Sequence, residues 1–138
     1  MRRLMNPALP VLVALAILSG CSAFGPDASD VVFETAAAEY APGAEVSARL
    51  ANDSDGDVGY NLCSTTVEVR GDAWEPVDPA TFEPRACPDI LHVLEAGDVA
   101  EASVPLPADL PSGVYRLATD VYVGDDRRVE VTAPFEVR

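Results

Sequence analysis

An all-β, two-layer antiparallel sandwich of about seven short strands is the fold this sequence predicts, and three observations carry it. Wherever the pattern is sharp, apolar residues recur with a period of two rather than the helical period. Clusters of Gly, Pro, Asn and Asp separate these alternating stretches. Finally, 12 prolines scattered through 138 residues argue against long helices. A closed barrel is the alternative arrangement of the same strands.

The elements follow in chain order. Val31 to Thr35 is a first short apolar stretch. Ala44, Val46, Ala48 and Leu50 then alternate with Glu45, Ser47 and Arg49, between Pro42-Gly43 and the turn cluster Asn52 to Gly56. Tyr60 to Leu62, Thr65 to Arg70 and Asp98 to Leu106 are further strand segments with a less regular alternation. From Tyr115 to Val123 the odd positions Tyr115, Leu117, Thr119, Val121 and Val123 make one face, with Arg116 and Asp120 on the other. The last segment repeats the pattern, placing Val129, Val131, Ala133, Phe135 and Val137 together, opposite Glu130, Thr132, Glu136 and Arg138. Gly124, Asp125 and Asp126 between these two segments predict a closing hairpin. Pro134 cannot donate to a ladder, which places the final strand at an edge or at a bulge.

Ahead of the strands, Arg2 and Arg3 precede an apolar run from Pro7 to Ser19. That run suits a secretory signal and falls short of the roughly 20 residues a spanning helix needs. It ends in Leu18, Ser19, Gly20 and Cys21, which resembles the lipobox of bacterial lipoprotein precursors. The resemblance implies cleavage before Cys21 and a lipid on its sulfur, with several acyl chains making the anchoring durable. Ser22, in place of the aspartate that retains lipoproteins at the inner membrane of enteric bacteria, implies an outer-membrane destination if the host has one. The expected organisation is a signal peptide over 1–20, the lipidated cysteine and a tether over 21–30, and one sandwich domain over 31–138. Gly25-Pro26 and the small polar residues around them read as that tether.

No lysine occurs in the chain, and without residues 1–20 seven arginines remain against 23 acidic residues, a net charge of about −16. Such a surface repels phosphates, so nucleic acid is set aside as a partner. A host living in high salt would explain an acidic, lysine-free chain, and so would a GC-rich genome that replaces lysine by arginine.

A second resemblance rests on Tyr40, Pro42 and Gly43, then Leu50, Ala51 and Asn52, then Tyr60 and Cys63, Trp74, Leu94 with Gly97, and Pro111 through Arg116. This order resembles the bacterial immunoglobulin-like domains of secreted and lipid-anchored envelope proteins, over roughly residues 31–138. The family implies an immunoglobulin-like antiparallel β-sandwich with an aromatic at the start of its penultimate strand, here Tyr115. It supplies no catalytic residues, because sandwich domains host many unrelated activities.

With Cys21 carrying lipid, Cys63 and Cys87 remain as a pair in an oxidising compartment, and a disulfide between them is expected to pin the long stretch from Ser64 to Ala86. A thiol-redox role lacks a CxxC pair. Trp74 lies inside that stretch and is either packing over a sheet near the bridge or an exposed contact residue, the candidate binding side chain.

Asp53, Asp55 and Asp57 around Gly56 are the metal candidates, because carboxylates at alternating positions resemble part of a calcium loop. Position twelve counted from Asp53 is Ser64 rather than glutamate, so a solvated turn is the better reading and no metal or cofactor is assigned. His92 is the only histidine, too few for a zinc or copper centre. Ser64 or Ser112 with His92 could formally compose a hydrolase triad, but no nucleophile motif surrounds either serine. The expectation is a non-enzymatic, membrane-tethered domain serving noncovalent recognition or a structural role at the cell envelope. Its contacts would be made by inter-strand loops at one end of the sandwich, particularly Asn52 to Gly59, the disulfide-bounded excursion around Trp74, and the Gly124 to Arg128 turn, toward a protein or ligand of the envelope. The alternative is a proteinase inhibitor that inserts one exposed loop into a protease cleft.

Overall fold

The computed structural model describes residues 30–138, so the signal, Cys21 and nearly all of the tether lie outside the described residues. The strands are β1 (Val31–Thr35), β2 (Glu39–Tyr40), β3 (Glu45–Asn52), β4 (Val58–Tyr60), β5 (Thr66–Arg70) and β6 (Trp74–Pro76) in the first half. They continue as β7 (His92–Leu94), β8 (Val99–Pro105), β9 (Gly113–Val123), β10 (Asp126–Val131) and β11 (Phe135–Val137). One sheet runs β1-β3-β8 and the other runs β2-β11-β9-β4-β7, with β10 and β5 also on β9 and β6 on β5. Their inner faces share one core, in which Phe33, Val46, Leu50 and Val104 meet Val58, Leu117, Val121 and Phe135. The result is the expected β-sandwich.

The strand count follows from how β9 is flanked. Along one side it pairs β4 at Tyr122 and Val121, then β5 from Ala118 to Tyr115. Along the other it pairs β10 from Val123 to Ala118, then β11 from Tyr115 to Gly113. Each pair is thus one interrupted strand. β1 and β2 are likewise one strand that changes sheets across Ala36–Ala38, its end pairing β11 in parallel. Merging the interruptions leaves eight strands, close to the number expected. The parallel ladder, β6 and β7 escaped sequence reading because runs of two or three residues carry no periodicity. Leu62, read as strand, instead begins a 3-10 turn, Leu62–Ser64, capped by the Asn61 side chain, which accepts from Cys63 N.

β9 bears out its alternation: Tyr115, Leu117, Thr119, Val121 and Val123 are all buried. The last segment does not keep one phase. β10 pairs Val131 with Ala118, whereas β11 pairs Phe135 with Tyr115, so four steps on this strand span three on β9. The extra residue is a bulge at Thr132 to Pro134, the second of the two settings, edge or bulge, that Pro134 allows. Because the side-chain period is two, one inserted residue swaps the faces. Phe135 and Val137 point into the core, while Val129 and Val131 are exposed at 59% and 38%, correcting the expectation that all five residues share a face. Thr132 turns inward instead, donating its amide to Leu117 O at 2.9 Å and accepting from Leu117 N at 3.0 Å through its hydroxyl.

Two turns fix how β9 and β3 enter the sheets. Gly124, with φ of 60° and no positive φ at Asp125, makes the two-residue hairpin between β9 and β10 a type II′ turn. Pro42-Gly43, with φ of 77° at Gly43 and Ala44 N donating to Ala41 O at 3.1 Å, makes a type II turn before β3. Tyr115 closes the other end of β9. Its hydroxyl donates to Pro111 O at 2.7 Å, a tyrosine corner, and its ring stacks on Phe135 with centroids 6.3 Å apart. Burial pushes the Tyr115 phenol above its usual range.

Two substitutions test this description. Tyr115→Phe leaves the Pro111 carbonyl without its donor and is expected to cost about 1 to 2 kcal/mol in urea denaturation with an unchanged m-value. The Glu130 carboxyl, placed opposite Thr119 by the register of the β9–β10 hairpin, is held above its usual range by burial, an effect that Arg128 partly offsets. Its folded form therefore binds a proton more tightly than its unfolded form, which subtracts stability as pH rises above the unfolded value. Glu130→Gln is expected to raise Tm at neutral pH, with the gain shrinking toward pH of about 4.

Candidate functional site

The topology sorts the candidate residues into three places. The chain enters the domain beside the Asn52 loop, where Asp53 N donates to Asp30 O at 2.7 Å. That loop precedes β4, which pairs the end of β9, so the Gly124-Asp125 turn shares this entry pole. The turn Gly71–Ala73 and Pro111 to Gly113 lie at the start of β9, about 33 Å away along an eleven-residue strand. Residues 77–91, the excursion between β6 and β7, run along the flank. The three contact regions expected from sequence are therefore not at one end of the sandwich.

At the entry pole, Asn52 is fully buried and organises its loop. Its amide donates to Gly56 O at 2.7 Å and Leu94 O at 3.0 Å, while its carbonyl oxygen accepts from Ser54 N at 3.1 Å and Ser54 Oγ at 2.6 Å. Asp53, Asp55 and Asp57 are left exposed around this closed turn. Among the described residues no three His, Cys, Asp or Glu side chains gather closely enough to hold a metal ion. The loop is shaped by the hydrogen bonds of Asn52 and Ser54.

Trp74 stands at the far pole, paired with Arg70 at the end of β5 remote from the bridge. The Arg116 guanidinium lies over its ring, 4.5 Å from the centroid, and Arg70 lies at 5.9 Å. Arg116 in turn donates to Glu68 at 2.6 Å across the ladder. The indole thus packs on the outer face of its sheet, half-buried over charge, where cation–π attraction adds about 0.5 to 2 kcal/mol. It packs over a sheet, but not beside the disulfide.

Cys63 and Cys87 are bonded, with Cα atoms 5.5 Å apart. Neither belongs to the core, so the bridge staples the flank rather than joining the sheets. Two further bonds reinforce it: Arg85 donates to Cys63 O at 3.0 Å, and Asn61 donates to Pro88 O at 2.9 Å. Asp78 caps the 3-10 turn Pro79–Thr81 by accepting from Ala80 N at 2.9 Å. Between this stapled segment and the sandwich is a cavity of about 690 Å³, walled by Val67, Val77, Phe82 and Val104 and bordered by Thr65 and Arg85. No sequence signal marked it, since its walls come from β5, the excursion and the end of β8.

His92 tilts over the Tyr60 ring, centroids 5.5 Å apart. Tyr60 pairs Val121, whereas Ser112 adjoins Gly113 at the opposite end of β9, so His92 and Ser112 are not brought together. The Ser64 hydroxyl donates to Asn61 O at 2.7 Å. On the same flank, Ile90 and Leu91 just before β7 and Val93 within it are exposed, and β7 pairs only β4 among the described residues.

Two sheets in this order, with a tyrosine corner at the start of β9, define an immunoglobulin-like sandwich. The model of the bacterial Ig-like domain family matches residues 27–136, and the chain belongs to that family. Among solved structures it is similar to the ASH / PapD-like domain of human CEP192 (PapD-like domain 7), with 17% identity, a TM-score of 0.37, and coverage of 95% of this chain and 94% of that one. No curated protein matches the chain.

Opening the bridge tests the staple. In the entropy model, closing a loop of sequence separation 24 stabilises by about 3 kcal/mol. The double variant Cys63→Ser, Cys87→Ser is expected to lose up to that amount in chemical denaturation, with faster proteolysis confined to residues 77–91 and an intact sandwich.

Proposed function

We propose that this chain is a lipid-anchored protein of the cell envelope whose Ig-like domain works by noncovalent recognition. The lipobox resemblance at Leu18 to Cys21 supports the anchor, and Ser22 favours the outer membrane where the host has one. Ten residues from Cys21 to Val31 reach at most about 35 Å when fully extended, which keeps the entry pole close to the lipid. The observation that carries the recognition reading is the separation of the two poles: Trp74, stacked on Arg116 beside Arg70, sits at the end of the domain away from the entering chain. A half-buried indole held on a rigid strand beside two guanidinium groups is suited to contact a partner at little entropic cost. The partner is a protein or ligand of the envelope, and the acidic surface disfavours nucleic acid.

Two measurements in the native host test this. An alkyne-tagged fatty acid fed to cells is expected to label the chain, and Cys21→Ala to abolish both the label and membrane association; a labelled Cys21→Ala chain would refute the anchor. A photocrosslinking residue at Ala73 is expected to give one discrete adduct that the Trp74→Ala background loses, whereas one at Asp55 is not. Equal adducts at both positions would refute recognition at the far pole.

A further inference from the structure

We infer that the cavity stapled by the disulfide is a binding site for a single-headed amphiphile, an alkyl chain ending in a carboxylate. The chain would lie among Val67, Val77, Phe82 and Val104, with the carboxylate at the Arg85 guanidinium. This stands apart from the anchor at Cys21 and from the far-pole face.

Volume is the first support, since about 690 Å³ falls within the range of small-molecule sites, about 300 to 1,000 Å³. The second is how the space is kept open. Pro79, Pro84 and Pro105 stiffen its walls, and the Cys63–Cys87 bond with the Arg85 and Asn61 hydrogen bonds holds the outer wall in place. A segment bound this way at its end cannot collapse onto the sheet and fill the space itself.

Head-group charge follows from Arg85. Arg49, Arg116, Arg127 and Arg138 each form an ion pair with a carboxylate on the same sheet, but Arg85 has no carboxylate within salt-bridge distance among the described residues. Its described partner is the neutral carbonyl of Cys63, which leaves guanidinium donors for an incoming anion. Glu83 borders the cavity as well and would favour a cation, which makes the sign of the head group the decisive reading.

The test titrates dodecanoate, dodecanol and dodecylamine, each below its micelle concentration, into the full chain and follows methyl and amide resonances. Saturable shifts at Val67, Val77 and Val104 are expected with dodecanoate, at least tenfold tighter than with either other compound. Arg85→Gln is expected to remove that tenfold preference while leaving dodecanol unchanged. Ala80→Trp, an exposed position on the border, is expected to block all three without altering thermal unfolding. Equal or tighter binding of dodecanol or dodecylamine would overturn the carboxylate assignment, and shifts that avoid the cavity residues or survive Ala80→Trp would overturn the site. No outcome of this titration bears on labelling at Cys21 or crosslinking at Ala73.

Discussion

The sandwich depends on β9 being paired along both of its edges. This strand contributes Tyr115, Leu117, Val121 and Val123 to the core and satisfies its backbone on four neighbours. A buried strand with unpaired amides would forfeit far more than any single side chain here supplies, so every adjoining segment must adapt its register to β9. The neighbours do so by breaking. One side breaks at the 3-10 turn that carries Cys63, and the other breaks at the bulge that carries Pro134.

Each break has a consequence away from β9. The bulge exchanges the faces of the last strand, so that Phe135 and Val137 point inward although Val129 and Val131, in the hairpin register before it, point outward. The 3-10 turn projects Cys63 onto the flank, where its bond to Cys87 holds residues 77–91 off the sheet and leaves a walled space. A feature that looks decorative in topology therefore creates the one large apolar concavity described here. Membership of the bacterial Ig-like family accounts for the framework, and the family match runs through the stapled excursion as well.

Charge is distributed with the same economy. Four arginines form ion pairs on the outer faces: Arg49 with Glu34, Arg116 with Glu68, Arg127 with Asp120, and Arg138 with Glu39. In so acidic a chain these pairs relieve repulsion along the ladders, although exposed pairs add little stability each. Arg70, Arg85 and Arg128 have no such partner among the described residues, and two of them are instructive, Arg70 beside Trp74 and Arg85 bordering the cavity.

Alternation and turn chemistry were enough to read the fold class, the long strand at Tyr115 to Val123, its hairpin and the interruption at Pro134, because these are encoded by neighbours in the chain. The cysteine pairing was legible too, because the lipobox resemblance implies a lipid on Cys21 and so leaves only Cys63 and Cys87 to join. Face assignment beyond the bulge was not, since a single inserted residue reverses the side-chain phase without altering the alternation that sequence displays. Nor could the positions of Trp74, Asn52 and the cavity walls be read, for a different reason. Trp74 lies over Arg116, Asn52 bonds Leu94, and Val67 lines the same cavity as Val104, and such partners, 37 to 42 residues apart, meet only when the strands assemble around β9.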